Sequence, residues 1–392
     1  MQTLHLDRLK RWLPLLGVTF AVFVFNTSEF MPIGLLSDIA LDLHVSAPRA
    51  GMLISVYAWV VAIMSLPLML MVSKYNLRGV LLAIVGLFVL SHVASAVATG
   101  YYTLMLSRIG VACAHAIFWS IAPPLAVRTV PDGKRALALS MVAGGSSVAM
   151  VVGLPLGRVI GLYVGWRMAF FFIAVVSALI FIYLCLVFPR MESRGGFSVR
   201  KMPALLRNRT LLGIFVMSLL FATAHYTCYS YIEPFLGNVA GMSAGVVTAT
   251  LIAFGASGML GSIAFGKWYM NHRYTFVFVV TIGPAIAMLL MQAAALWMAA
   301  IVAVCVVWGA MATAFNIAFQ DNTIRYAPSE ATSIAMSIFS GIFNLGIGSG
   351  AYIGGLVVTH ASLAYVGYAG GLIGLLAAAY CALRLFPNMK RL

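Results

Sequence analysis

The sequence predicts an all-α membrane protein in which twelve transmembrane helices form two six-helix bundles. Of the 392 residues, 63% are hydrophobic and only 8% are charged, whereas a soluble domain carries about 25% charged residues. Apolar runs of about 20 residues, each long enough to cross a hydrocarbon core of roughly 30 Å, recur along the whole chain. These runs are continuous rather than alternating, which favours helices over a β-barrel.

The apolar runs fall into two sets of six, separated by a long basic stretch. This stretch, PRMESRGGFSVRKMPALLRNRT, contains Gly-Gly and Pro, which are typical of a linker. We therefore expect an N-terminal bundle at 1–189, a cytoplasmic linker at 190–209 and a C-terminal bundle at 210–392. The predicted spans are 12–36, 50–72, 79–98, 102–127, 136–160, 166–188, 210–235, 244–267, 276–295, 298–320, 333–358 and 363–386.

The basic residues predict the orientation of the chain. If both termini are cytoplasmic, all of the 24 Lys and Arg residues except Arg49, Arg108, Arg158 and Arg167 fall in cytoplasmic segments. Short loops rich in Lys and Arg stay on the cytoplasmic side of a membrane. The net charge of +15 is therefore a topology signal, and the lipid bilayer rather than nucleic acid is the expected partner.

The two halves repeat with an offset of 197 residues. ALSMVAGG from Ala138 then aligns with AMSIFSGI from Ala335, and GLPLG from Gly153 aligns with GAYIG from Gly350. Two sets of six spans in the same orientation form the parallel repeat of the major facilitator architecture. The paired glycines are small-xxx-small patterns, which let helix backbones approach closely. Their recurrence predicts equivalent interfaces in the two halves.

Two of the nine acidic residues, Glu29 and Glu233, stand out because they fall inside predicted spans. Glu29 lies roughly 25 Å from the cytoplasmic start of span one, at about 1.5 Å per residue, and Arg108 lies at a similar depth in span four. Burial favours the neutral form of a carboxyl group, whereas a neighbouring Arg favours the charged form. We therefore expect Glu29 and Arg108 to approach each other and to couple transport to protons. A static pair that fixes spans one and four is the alternative.

Spans four and seven carry most of the candidate substrate-binding residues. His115 and Trp119 follow Arg108 at spacings of seven and four, which places all three on one helical face. In AHYTCYSYIEPF, the residues His225, Tyr229 and Glu233 share one side of span seven. Aromatic rings stack on the apolar faces of a sugar, and their OH and NH groups form hydrogen bonds with its hydroxyl groups. The pattern therefore favours a sugar-like ligand. An aromatic belt at the membrane surface is the alternative. The full set of predicted substrate-binding residues is Asn26, His115, Trp119, His225, Tyr226, Tyr229, Asn316 and Asn344. For the amides Asn316 and Asn344, hydrogen bonding between helices is the alternative.

Several of these segments resemble bacterial sugar efflux transporters, a group within the drug/proton antiporter family of the major facilitator superfamily. The similarity is carried by FNTSEFMPIGLLSDIA, SRIGVACAHAIFWS, AHYTCYSYIEPF and SGIFNLGIGSGA, together with the more widespread GLPLGRVIG and GWR. It implies proton-driven export of small sugars, such as arabinose and thiogalactosides, across the bacterial inner membrane by a monomer. It also implies that Glu29 and Arg108 take part in coupling.

One loop departs from that family. Between spans two and three the family usually carries an Asp-Arg-x-Gly-Arg-type motif, whereas this chain has MVSKYNLRGV, in which Lys74 and Arg78 are the only charges. The resemblance therefore does not extend to a charge-based gate at this loop.

Other functional classes find less support in the sequence. The chain has no Walker A motif and no HExxH motif, and the five cysteines are isolated in different apolar segments. We therefore expect no cofactor, no metal site and no enzymatic activity. A passive channel is disfavoured by the six-plus-six repeat. Among transporters, a multidrug/proton antiporter is the alternative to a sugar exporter.

Overall fold

A computed structural model describes residues 12–72, 75–131, 135–191, 207–328 and 332–390 of the chain, and the described residues are helical apart from short turns. The α-helices, numbered in chain order, are α1 (Leu13–Gly34), α2 (Leu36–Asp42), α3 (Ala47–Val72), α4 (Leu77–Ala96), α5 (Tyr101–Arg128), α6 (Arg135–Val164), α7 (Trp166–Val187), α8 (Arg209–Tyr229), α9 (Ile232–Pro234), α10 (Ala244–Trp268), α11 (Arg273–Ala294), α12 (Met298–Tyr326), α13 (Thr332–His360), α14 (Val366–Tyr380) and α15 (Phe386–Lys390). A π-helical turn, Phe235–Val239, follows α9, and another, Cys381–Leu385, joins α14 to α15.

Within these described ranges, twelve helices are long and apolar enough to cross a membrane. They confirm the predicted all-α fold with twelve transmembrane helices. Some boundaries differ: α6 continues to Val164 and α12 to Tyr326, whereas α8 already ends at Tyr229. The additional residues of α12, DNTIRY, are largely polar and are compatible with helix outside the hydrocarbon core, which a hydropathy pattern does not detect.

The first and seventh spans are interrupted near their prolines, Pro32 and Pro234. Helix α1 runs through Pro32 to Gly34 and breaks at Leu35, whereas α8 ends at Tyr229, before Pro234. At the end of α1, the buried Arg158 donates from Nη1 to the carbonyl oxygen of Gly34 at 2.8 Å. A cation at a helix C-terminus satisfies a free carbonyl and complements the helix dipole, so Arg158 stabilises this break.

By their internal contacts, the residues divide into two units. The first unit comprises Met1–Gly34 and Ile63–Phe197, and the second comprises Leu35–Ala62 and Ser198–Leu392. Residues 35–62 thus belong with the second unit, a grouping that the division at 189 and 210 did not anticipate. Most of the predicted linker, 192–206, lies outside the described residues, so that division remains a prediction.

Each unit contains one interface built on the repeated glycines. In the first unit a Cβ atom added to Gly157 of α6 would lie 2.2 Å from Met31 Cγ of α1. In the second unit a Cβ atom at Gly354 of α13, the equivalent position, would lie 2.4 Å from the Thr227 carbonyl oxygen of α8. The absence of side chains at these positions lets each helix pair approach closely. The predicted equivalence of the two interfaces is confirmed.

Within the first unit, Arg78 in the first turn of α4 joins that helix to α7. Its Nη2 group donates to the Cys185 carbonyl oxygen at 2.6 Å, and Lys74 lies outside the described residues.

The corresponding turn of the second unit, between α10 and α11, is held by a polar cluster. Tyr269 donates to Asp321 Oδ2 of α12 at 2.8 Å, and Arg273 donates to Tyr269 Oη at 3.2 Å and to Asn322 Oδ1. Burial first, and then the hydrogen bond to Asp321, raise the pKa of Tyr269. The cluster therefore ties three helices of this unit together.

Candidate functional site

The predicted site residues fall into two groups, one in each unit. In the first unit the central contact joins Arg108 of α5 to Ser28 of α1. Arg108 is only 1% exposed, and its Nη1 donates to the Ser28 carbonyl oxygen at 3.3 Å. Pro32 explains why that oxygen is available: proline has no N–H, so the carbonyl four residues earlier loses its helical hydrogen bond. Arg108 supplies the missing donor.

Glu29, the residue after Ser28, lies beside His115. Its Oε2 atom is 3.7 Å from His115 Nε2, and its side chain is 10% exposed. The sequence predicted that Glu29 and Arg108 approach each other. The structure places Arg108 on the carbonyl oxygen of Ser28, the residue before Glu29, and His115 within ion-pair distance of the Glu29 carboxyl group. The three candidate residues lie in one buried region, and their role in coupling remains a prediction.

His92 of α4 belongs to the same polar region and was missed by sequence reasoning. It is fully buried, and its Nε2 atom lies 2.8 Å from Ser28 Oγ. Ser28 thus contacts His92 through its hydroxyl group, and it accepts from Arg108 Nη1 through its carbonyl at 3.3 Å and through its hydroxyl at 3.5 Å. The signal available in the sequence was a histidine inside an apolar span, in SHVAS, because polar residues in membrane spans usually have a specific partner.

An aromatic stack holds these helices in place. The Phe25 ring lies between Phe88 and Phe118, with ring centroids 3.9 and 4.0 Å away. Phe88 also meets the His92 ring edge-on at 4.4 Å. Because the stack joins α1, α4 and α5, it fixes the relative positions of Ser28, His92 and Arg108.

Two further predicted residues of the first unit lie on helices that form this region. Asn26 is buried on α1. Trp119 is half-buried on α5, and its ring centroid lies 6.2 Å from that of His115. The shared face predicted for His115 and Trp119 therefore agrees with their positions.

In the second unit the predicted residues of span seven form an aromatic cluster. The His225 ring centroid lies 4.9 Å from that of Tyr226 and 5.0 Å from that of Tyr229. Two residues that sequence reasoning missed complete the cluster, Phe254 of α10 and Trp308 of α12. Tyr229 stacks on Phe254 at 4.9 Å, and Phe254 meets Trp308 edge-on at 5.2 Å. We call these five residues the aromatic cluster.

The two predicted amides of the second unit make hydrogen bonds within their own helices. Asn316 accepts a hydrogen bond from Gln320, and Asn344 Nδ2 donates to the Ser340 carbonyl oxygen at 3.1 Å. Asn344 Oδ1 is a buried oxygen without a hydrogen-bond partner among the described residues. Their predicted role in substrate binding remains untested.

Glu233, whose role the sequence left open, lies outside the aromatic cluster. It is buried in α9 and accepts hydrogen bonds from Ser37 of α2, from Oγ at 2.7 Å and from the backbone nitrogen at 3.3 Å. Because Ser37 is in the first turn of α2, the carboxylate caps that helix. Glu233 therefore has a structural role within the second unit.

Comparisons with known proteins agree with this architecture. The family profile described as Major Facilitator Superfamily matches residues 18–334. Among solved structures, a bacterial homologue of the human lysosomal transporter Spinster, in an inward-facing and unoccupied conformation, is similar with a TM-score of 0.76 and 18% identity, over 97% of this chain and 98% of that chain. A POT family transporter in complex with 5-aminolevulinic acid is similar with a TM-score of 0.77 and 13% identity, over 96% of each chain. A POT family transporter in complex with a thioalcohol-conjugated peptide gives a TM-score of 0.77 and 12% identity, again over 96% of each chain. The chain belongs to the Major Facilitator Superfamily and is a multi-pass secondary transporter that works by alternating access.

Proposed function

We propose that this transporter exports small sugars, such as arabinose and thiogalactosides, in exchange for protons. The observation that carries the proposal is the carboxyl group of Glu29, which is nine-tenths buried in a membrane span, 3.7 Å from His115 and one residue from the Arg108 contact. An ionisable group at such a position usually marks an ion or proton path.

The proton step follows from the surroundings of Glu29. When Glu29 is protonated it is neutral, and Arg108 remains on the Ser28 carbonyl oxygen. When Glu29 loses its proton, its carboxylate attracts the guanidinium group of Arg108. Arg108 then moves from the carbonyl oxygen of Ser28 to the carboxylate of Glu29. Proton release thereby changes the packing of α5 on α1, which gives the proton a means to bias the conformational change.

The aromatic cluster supports the choice of a sugar-like substrate. Its rings offer faces for the apolar side of a sugar, while Tyr226, Tyr229 and His225 offer OH and NH groups for hydroxyls. Binding sites for small polar ligands combine apolar walls with a few placed polar groups in this way. The sugar class and the direction of transport rest on the resemblance of FNTSEFMPIGLLSDIA and AHYTCYSYIEPF to sugar efflux transporters.

The membrane and the orientation are part of the same proposal. We assign the chain to the bacterial inner membrane as a monomer with both termini cytoplasmic. The distribution of Lys and Arg over the predicted short loops supports that orientation.

The test is counterflow in proteoliposomes with labelled arabinose, a labelled thiogalactoside and a labelled cationic drug, with and without a pH gradient. We expect sugar exchange in all conditions and net sugar accumulation only when the lumen is acidic. Movement of the drug without movement of either sugar would replace the proposal by a multidrug/proton antiporter. Flux that does not saturate with sugar concentration would instead indicate a channel.

A further inference from the structure

Trp308 makes a hydrogen bond that determines what His225 can offer to a ligand. The Trp308 side chain is fully buried on α12, and its Nε1–H group donates to His225 Nδ1 at 3.1 Å. An indole nitrogen is only ever a donor. His225 Nδ1 must therefore accept with its lone pair, and the proton of the neutral imidazole is on Nε2.

The packing around Trp308 keeps this hydrogen bond in one geometry. The indole ring meets Phe254 edge-on with an interplanar angle of 89° and Tyr229 with an angle of 88°. A Cβ atom at Gly309, the next residue, would lie 2.4 Å from the Phe254 carbonyl oxygen. The glycine thus allows α12 to approach α10 closely and brings the indole within reach of α8.

His225 itself is less enclosed than its partner. The His225 residue is 7% exposed, whereas Trp308 is fully buried. The Nε2 atom of His225 is not a fully buried atom without a partner, unlike Trp166 Nε1. The ring therefore has one nitrogen committed to Trp308 and one N–H group available for another partner.

We propose that Trp308 is a positioning residue that holds His225 as an Nε2–H donor for an acceptor oxygen of the substrate. This inference rests on the proposed function and narrows its substrate class. A hydroxyl, ring ether or carbonyl oxygen accepts from Nε2–H, whereas an ammonium group presents only N–H donors to it. The aromatic cluster thus selects a neutral, oxygen-rich ligand over a cationic one of similar size.

The first test is the tautomer of His225, which requires no substrate. Protein labelled with ¹⁵N-histidine is compared as wild type, W308F and W166F, and the His225 signals are assigned by their absence in H225Q. We expect an Nε2–H tautomer in the wild type and in W166F, and a mixture of tautomers in W308F. Trp166 is a matched control because it is a buried tryptophan whose Nε1 has no hydrogen-bond partner among the described residues. A wild-type protein with the Nδ1–H tautomer would overturn the proposal.

The second test is binding of labelled arabinose and a thiogalactoside to the same proteins. W308F should weaken sugar binding roughly three- to tenfold, which corresponds to the loss of one ordinary hydrogen bond, while W166F should bind as the wild type does. The affinity for a cationic drug relative to that for sugar should rise in W308F. Sugar binding by W308F equal to that of W166F would refute the positioning role.

Substitutions of His225 keep the test decisive if W308F folds poorly. Glutamine places an amide N–H near the position of Nε2 without needing Trp308, whereas asparagine reaches only the position of Nδ1. We expect H225N to lose more sugar affinity than H225Q, and W308F to cost less affinity in the H225Q background than in the wild type. The reverse order of the two variants would contradict the proposal. If the wild type binds neither sugar, the proposed function is wrong. If the wild type binds sugar but does not have the Nε2–H tautomer, only the role of Trp308 is wrong.

Discussion

The buried contact between Ser28 and His92 gives a prediction with a calculable magnitude. Replacing Ser28 with Ala removes the hydroxyl group that lies 2.8 Å from His92 Nε2, together with its long 3.5 Å contact to Arg108 Nη1, but keeps the carbonyl oxygen to which Arg108 donates at 3.3 Å. His92 Nδ1 already lacks a hydrogen-bond partner among the described residues. The variant therefore leaves a fully buried imidazole without a partner in the first unit, at a cost of about 1–3 kcal/mol.

In a membrane, the free-energy cost of losing this hydrogen bond is expected in the lower part of that range. Interhelical hydrogen bonds within bilayers average about 0.6 kcal/mol and reach about 1.7 kcal/mol. We therefore expect S28A to lower the free energy of unfolding by about 1–2 kcal/mol, measured by reversible unfolding in mixed micelles with tryptophan fluorescence. Ser177 is the matched control, because its hydroxyl is buried without a hydrogen-bond partner in the described part of the chain. S177A should change stability by less than about 0.5 kcal/mol.

A double-mutant cycle isolates the pair. In an H92F background the hydroxyl group has no imidazole to contact, so S28A should cost less there than in the wild type. Equal costs of S28A and S177A, or an S28A cost that is unchanged by H92F, would refute the assignment of this hydrogen bond.

Two further predictions concern the second unit. Gly354→Ala should destabilise the protein, because its Cβ would lie 2.4 Å from the Thr227 carbonyl oxygen. Gly266→Ala, at an exposed site with no atom within 4 Å, should be neutral or stabilising by up to about 1 kcal/mol. Equal melting temperatures of the two variants would contradict the tight interface. The raised pKa of Tyr269 means that its neutral form is favoured in the folded protein, so its contribution to stability is complete below the ordinary tyrosine pKa of about 10 and is lost as the pH rises above it. Thermal unfolding between pH 8 and 11 should therefore show a steeper loss of stability for the wild type than for Y269F; parallel profiles would contradict the raised pKa of Tyr269.

The fold was predictable because its signals are local in the sequence. Continuous apolar runs report membrane spans directly, and the 197-residue offset paired Gly157 with Gly354 before any contact was known. Pro32 lies inside α1, which continues to Gly34, and Arg108 donates to the carbonyl oxygen that Pro32 leaves free.

The missed residues depend on contacts between spans. Nothing in the spacing of SHVAS shows that His92 reaches Ser28 on α1, and nothing in span ten shows that Trp308 donates to His225 on α8. Such pairings depend on helix rotation and tilt, which packing against neighbours determines. The candidates on single helices, such as His225 with Tyr229, were found because helical periodicity places them together.

The central claim is that Glu29 carries the coupling proton, and the most direct measurement compares two transport modes in one variant. Proteoliposomes with an acidic lumen should accumulate labelled arabinose with the wild type and with D42N, which removes an exposed carboxylate at the end of α2. With E29Q, accumulation driven by the gradient should be lost, while counterflow exchange, which needs no net proton movement, should continue. Accumulation by E29Q equal to that of D42N would contradict the account, and loss of both transport modes would indicate the static pair.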